Sequence, residues 1–255
     1  MRTPGRCFTW LSAALLVLVV TACSNGDGGG LLATSPEAPS PPTAPAPAPA
    51  TALPPGTSLV AEARIAKVAV FSQPDDSQAA KRTLPNPTES GAPLVFLVEQ
   101  AMPGWLQVDL PVRPNGSTGW VRAAEVEVTP IPYRVVVELT RYRITVWRGD
   151  QVILSEPVGL GTQSTPTPGG RYYIKELLKP PNPNGPYGPY AYGLSGFSNV
   201  LTSFAGGDGV VGIHGTNDPS ALGHSVSHGC IRMSNAGITT LAKMLPLGTP
   251  VEIRR

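Results

Sequence analysis

The chain has 255 residues, 19 Lys and Arg against 17 Asp and Glu, a formal net charge of +2 and three cysteines. Residues 58–128 carry six Lys/Arg against eight Asp/Glu, about −2, and residues 129–255 carry eleven against seven, about +4. Neither half holds a basic run or stripe, which excludes the electrostatic footprint of a nucleic-acid binder, and three cysteines make no disulfide framework.

Arg2 and Arg6 precede an almost purely apolar stretch from Leu11 to Val20, too short for a spanning helix and of signal-peptide form. We read residues 1–22 as that signal peptide. Val20-Thr21-Ala22-Cys23 resembles a bacterial lipobox, which makes Cys23 the lipidated N-terminus of an exported, membrane-anchored protein facing the cell wall. The alternative is ordinary cleavage nearby, with Cys23 incidental.

Residues 23–57 are dominated by Gly, Ala, Pro, Ser and Thr, including Ala44-Pro45-Ala46-Pro47-Ala48-Pro49, and cannot bury enough apolar surface to order themselves. Pro-Ala alternation favours extended polyproline II at about 3.1 Å per residue, a linker reaching on the order of 100 Å. About 200 residues then remain, room for one large or two small domains.

Between residues 58 and 128, short β-favouring runs alternate with Pro and Gly: Leu59 to Phe71, Leu94 to Glu99, Trp105 to Val108 and Gly119 to Val121. The paired Gly104-Trp105-Leu106 and Gly119-Trp120-Val121 segments resemble bacterial SH3-like domains, so a small SH3-like β-barrel is expected here. Its tryptophans read as core.

From Tyr133 to Arg254 the expectation is a mostly-β domain with one main helix. Strands are predicted over Arg134–Leu139, Arg143–Trp147, Val152–Leu154 and Arg171–Ile174, and a terminal strand over Val251–Ile253. Lys179 to Gly196 reads as a Pro- and Gly-rich loop. Ser234 can cap a helix on which Ile238, Leu241, Ala242 and Leu245 repeat at helical spacing.

All three histidines, His214, His224 and His228, share one short window with Cys230, the only cysteine after residue 23. A lone thiol among histidines in an exported chain reads as a cysteine nucleophile with its base. Zinc is the rival use of such a cluster, but the spacing matches no ligand pattern, so no metal is expected. His224 reads as an exposed loop histidine.

The residues His214-Gly215-Thr216 and Ser227-His228-Gly229-Cys230-Ile231-Arg232-Met233-Ser234 resemble the signature of L,D-transpeptidases of the YkuD type. Thr165-Pro166-Thr167-Pro168-Gly169 and Gly248-Thr249-Pro250-Val251 fit the same family. The resemblance implies peptidoglycan stem peptides as substrates: attack at the bond before a terminal D-alanine, an acyl-enzyme, and a 3→3 cross-link to a second stem. It makes Cys230 the nucleophile and His214 the base, with Gly215 or a neighbour fixing the imidazole tautomer through a carbonyl. His228 is the rival base and takes a structural or secondary role. Backbone amides around Gly229 and Cys230 are candidates for an oxyanion hole, and Ser227 either bonds within the site or shapes the turn. Arg232 either meets a substrate carboxylate or forms a structural salt bridge. Tyr187, Tyr190 and Tyr192 either wall the cleft, Tyr190 being singled out as substrate-binding, or simply pack the loop. No cofactor and no nucleic-acid partner are expected, and the chain is read as a monomer. An L,D-carboxypeptidase on the same site and a non-catalytic wall-binding lipoprotein are the competing readings. Cysteine peptidases of the NlpC/P60 type place Cys before His, the reverse of the order here.

Overall fold

Short apolar-polar alternations broken by Pro and Gly fold a little under half of the described chain into strands. The computed structural model describes residues 53–203 and 207–255, and the signal-peptide segment, Cys23 and the linker up to residue 52 lie outside them. Strands β1 (Ser58–Ala63), β4 (Val95–Met102), β5 (Trp105–Asp109), β6 (Thr118–Arg122) and β7 (Val126–Ile131) form a five-stranded sheet in the order β6-β5-β4-β1-β7. Strands β2 (Lys67–Val70) and β3 (Arg82–Pro85) make a separate hairpin, tied to β6 by the Phe71–Trp120 bridge. Val68, Val70, Phe96, Val108 and Val121 fill the space between them. Trp105 is buried edge-on against Phe71, ring centroids 5.1 Å apart. The first sheet runs past residue 128, because β7 stays paired with β1 to Ile131.

The second region begins at once with β8 (Tyr133–Glu138), β9 (Arg143–Arg148) and β10 (Gln151–Pro157). It continues through β11 (Leu160–Gly161), β12 (Gly170–Leu178), β13 (Ala191–Phe197), β14 (Val210–His214), β15 (Ser225–Ser227) and β16 (Ile231–Arg232). Helix α1 (Asn235–Met244) and β17 (Pro250–Arg254) follow. Eight of these strands form one sheet, β10-β9-β8-β17-β12-β13-β14-β16, while β11 and β15 pair separately. The fold is mostly β with one helix. Ser234 caps α1, its hydroxyl accepting from the Gly237 amide at 2.9 Å, and Ile238, Leu241 and Leu245 are buried on the sheet. At its other end the buried Tyr192 hydroxyl donates to the carbonyls of Leu241 and Leu245 at 2.8 and 3.1 Å.

The segment predicted as a loop to Gly196 instead turns into strand β13 at Ala191. Its glycines are not turn signals but points of close approach. A Cβ on Gly196 would collide with the Tyr172 ring, and one on Gly193 with the Glu176 carboxylate.

The two sheets share a core. Tyr173 of β12 is fully buried among Val60, Val95, Leu97 and Ile131 of the first sheet. Around this apolar patch the turn between β5 and β6 grips the segment after β13. Arg113 donates to the carbonyls of Ser198, Leu201 and Asp208 at 2.9, 3.0 and 2.9 Å. Asn115 exchanges two hydrogen bonds with the Phe197 backbone, each 2.8 Å.

Candidate active site

Strands β14 and β16 run parallel, with Ile213 opposite Ile231 and His214 opposite Arg232. Residues directly opposite in a parallel pair point to one face, and side chains alternate along each strand. Ile213, Ile231 and Met233 therefore enter the core, where each is at most 1% exposed. The same alternation sends Gly212, His214, Cys230 and Arg232 to the other face. Cys230 falls opposite Gly212, and His214 lies one step along the diagonal. A Cβ on Gly212 would sit in ordinary contact with the Cys230 sulfur, at 3.9 Å, but only 2.9 Å from the Tyr192 carbonyl oxygen, which is what reserves the position for glycine. His214, Cys230, Tyr187 and Glu176 line one cavity.

Burial dominates the electrostatics. His214 is 5% exposed, and burial, with the Arg232 charge adding to it, pulls its imidazole down to about 4, while the Gly215 carbonyl pulls the other way. Burial pushes the Cys230 thiol above its ordinary value, partly offset by the Gly212 amide and by Arg232. Both shifts favour a neutral thiol beside a neutral imidazole over an ion pair. His214 Nδ1 is 2.6 Å from the Gly215 carbonyl oxygen. A carbonyl can only accept, so Nδ1 carries the proton and Nε2 keeps the lone pair.

The turn into Cys230 is held by Ser227, whose hydroxyl donates to the Cys230 carbonyl at 2.6 Å and accepts from the Gly229 amide at 3.1 Å. Of the two amides considered for an oxyanion hole, that of Gly229 is thus already engaged. Gly229 itself has φ +116°, a conformation that excludes a side chain. Thr165 donates to the Ser227 carbonyl at 3.2 Å, joining the Thr-Pro-Thr-Pro-Gly segment to this turn. His228 is exposed and lines a crevice on the Val210 side of Cys230, with Ser198 and Leu201. The exposed His224 takes part through its backbone, its carbonyl accepting from the Leu160 amide at 2.9 Å and its amide donating to the Ala221 carbonyl at 3.3 Å.

Arg232 has no carboxylate within ion-pair distance among the described residues, and its Nε is buried without a hydrogen-bond partner. The salt-bridge reading of this residue therefore fails. Among the three loop tyrosines, Tyr187 and not Tyr190 meets the site: its ring stands 4.9 Å from that of His214. Tyr190 packs on the core beside Lys179 and contributes its carbonyl, which accepts from the Gly215 amide at 3.3 Å. Tyr192 points under the sheet to α1. Gly215 is pressed between Gly188 and the Asn235 side chain, and Asn235 Oδ1 accepts from the Thr216 amide at 2.9 Å. Helix α1 thereby fixes the loop that orients His214.

The family model described as the L,D-transpeptidase catalytic domain, YkuD, matches residues 132–253, the region of β8 to β17. The YkuD protein of Bacillus licheniformis is 35% identical over 154 residues, covering 58% of this chain and 85% of that protein. This chain belongs to the YkuD-type L,D-transpeptidase family. The YkuD protein of Bacillus subtilis strain 168 is 37% identical over 125 residues, covering 49% of this chain and 68% of the relative. A solved L,D-transpeptidase from Mycobacterium smegmatis superposes with a TM-score of 0.41 at 16% identity, over 64% of this chain and 92% of its own.

Several residues around this L,D-transpeptidase site escape a reading of the sequence. Gly212 and Asn235 carry no motif signal of their own, and only the strand register and the helix start reveal them. Glu176 is hidden by a bulge: Ile174 pairs with Leu194 but Glu176 with Gly193, so two residues of β12 oppose one of β13.

Proposed function

We propose that this L,D-transpeptidase acts on peptidoglycan stem peptides through a thioester on Cys230, with His214 as general base and acid. The observation that carries this is the diagonal placement of His214 and Cys230 on one face of the β14–β16 pair, with the imidazole neutral. His214 Nε2 takes the thiol proton as the sulfur attacks the carbonyl before the terminal D-alanine. The C–N bond breaks, D-alanine leaves with the proton held by Nε2, and the acyl group remains on sulfur. A side-chain amine of a second stem then attacks the thioester, forming the 3→3 amide and freeing the thiol. Arg232, unpaired beside the site, suits a carboxylate of the stem. His228, exposed beyond the sulfur, takes no proton in this scheme.

The rest of the chain is read around that chemistry. Lipidation at Cys23 holds the protein at a bacterial membrane, and the Pro-Ala linker carries a monomeric enzyme toward the wall. A five-stranded antiparallel sheet with a bridged hairpin is what supports an SH3-like identity for the first domain.

The test is mass spectrometry of a purified tetrapeptide muropeptide incubated with the wild type and with Cys230→Ala. A 3→3 dimer formed only by the wild type is expected. Tripeptide without dimer would make the enzyme a carboxypeptidase, and no product from either would remove the enzymatic reading. Cys23→Ala should release the protein from membranes, which fractionation would reveal.

A further inference from the structure

Two cavities share Glu176, Gly207 and Val210 in their walls. Glu176 lines the pocket that holds Cys230, His214 and Tyr187, and it also lines a groove between the two β domains. That groove runs past Val210, over Phe197 and Lys175, to Leu84 and Glu89 of the first domain. In a regular strand Glu176 would follow the buried Ile174 into the core, but the bulge in β12 turns it outward beside Lys175. Gly193 clears the space in which its carboxylate lies. Its one ion pair among the described residues is with Lys175, at 3.8 Å and beyond hydrogen-bonding length. The carboxylate therefore faces the thiol pocket with its acceptor capacity largely unspent.

We infer that the groove between the domains seats the second, amine-bearing stem peptide, and that Glu176 receives its ammonium next to Cys230. This rests on the cysteine acyl-transfer reading above. The occupant follows from charge and continuity. The attacking group is a cation at neutral pH, the acyl carbon is on Cys230, and Glu176 is the carboxylate bordering both spaces. Lys175, one residue back, is placed for a carboxylate of the same stem. Glu176 takes one proton from the ammonium and passes it to solvent. The free amine attacks the thioester carbonyl, the C–N bond forms and the C–Sγ bond breaks. The second amine proton reaches the sulfur through His214 Nε2, so the thiol is restored.

The experiment compares the ratio of 3→3 dimer to hydrolysed tripeptide for the wild type, Glu176→Gln and Glu176→Asp at several acceptor concentrations. Loss of a charge-assisted contact is expected to lower the ratio for Glu176→Gln about ten-fold or more, mostly through the acceptor KM, with partial recovery in Glu176→Asp. Ser90→Trp, at an exposed position on the first-domain wall of the groove, should lower the same ratio, and it guards against a folding defect at Glu176. A wild-type ratio in both Glu176→Gln and Ser90→Trp overturns the assignment. Failure of Glu176→Gln to acylate at all, read by intact mass, also overturns it by moving Glu176 into the first half-reaction. A wild type that never acylates Cys230 removes the underlying reading, and the groove assignment with it.

Discussion

Gly212 and Cys230 face each other across two parallel strands, with 3.9 Å between the sulfur and the point where a Gly212 Cβ would stand. That point is only 2.9 Å from the Tyr192 carbonyl oxygen, so a side chain there must be displaced, and its branches pushed toward the sulfur. Gly212→Val should slow acylation of Cys230 about a hundred-fold, while overpacking costs the fold about 1–3 kcal/mol. Intact-protein mass spectrometry with a substrate stem, beside a melting curve, separates the two effects. Unimpaired acylation would mean the thiol reacts from another rotamer.

His214, pulled down to about 4, is neutral through the physiological range. The acid limb of the pH–rate profile for acylation should therefore lie near pH 4 rather than near 6.5. Because Arg232 lowers both His214 and Cys230, Arg232→Ala should move that limb upward and slow alkylation of Cys230 at pH 8. An acid limb already near 6.5 in the wild type would contradict the buried, neutral imidazole.

Arg113 lies in the turn between β5 and β6 of the first sheet, yet its three hydrogen bonds hold the segment that carries Ser198 and Leu201 beside Cys230. Removing it leaves three carbonyls without that donor. Arg113→Ala should cost about 1–3 kcal/mol of stability. Activity measured well below the melting temperature should fall several-fold, whereas Arg64→Ala, in an exposed ion pair with Glu127, should change neither. Equal behaviour of the two variants would show that the first sheet does not support the site.

Burial first, then the neighbouring Glu99 carboxylate, push the Asp109 carboxyl up to about 7. The folded state thus holds a proton that the unfolded chain has lost above about pH 4. The associated stability is complete below that point and disappears as pH rises to about 7. Asp109→Asn should raise Tm at pH 8 by roughly 2–6 °C, allowing for solvent screening, and by much less at pH 4. A pH-independent effect of the substitution would sink this.

Much of the site is legible because its chemistry resides in residue type. One thiol and three histidines in a short window leave few uses, and the glycine beside the thiol announces a tight backbone. Strand β13 is not legible, since Gly193 and Gly196 read as turn residues while actually admitting the Glu176 and Tyr172 side chains from the neighbouring strand. Tyr187 and Tyr190 are indistinguishable by spacing, because the conformation of a Pro-Gly loop decides which ring swings over His214. Glu176 depends on a bulge, and Arg113 on contacts with residues 85 or more positions away. Neither leaves a periodic trace.

Strand β17 lies between β8 and β12, strands laid down long before it in the chain. It pairs in parallel with β8 and antiparallel with β12. Without residues 250–254 no strand joins the β10-β9-β8 ladder to the β12-β13-β14-β16 ladder, and the Gly159–Arg232 bridge beside β10 is left to link them. A polypeptide still emerging from a ribosome or a translocation channel therefore cannot complete the sheet that bears its thiol. Closure of the thiol-bearing sheet therefore waits on residues 250–254, an order of assembly set by strand order alone.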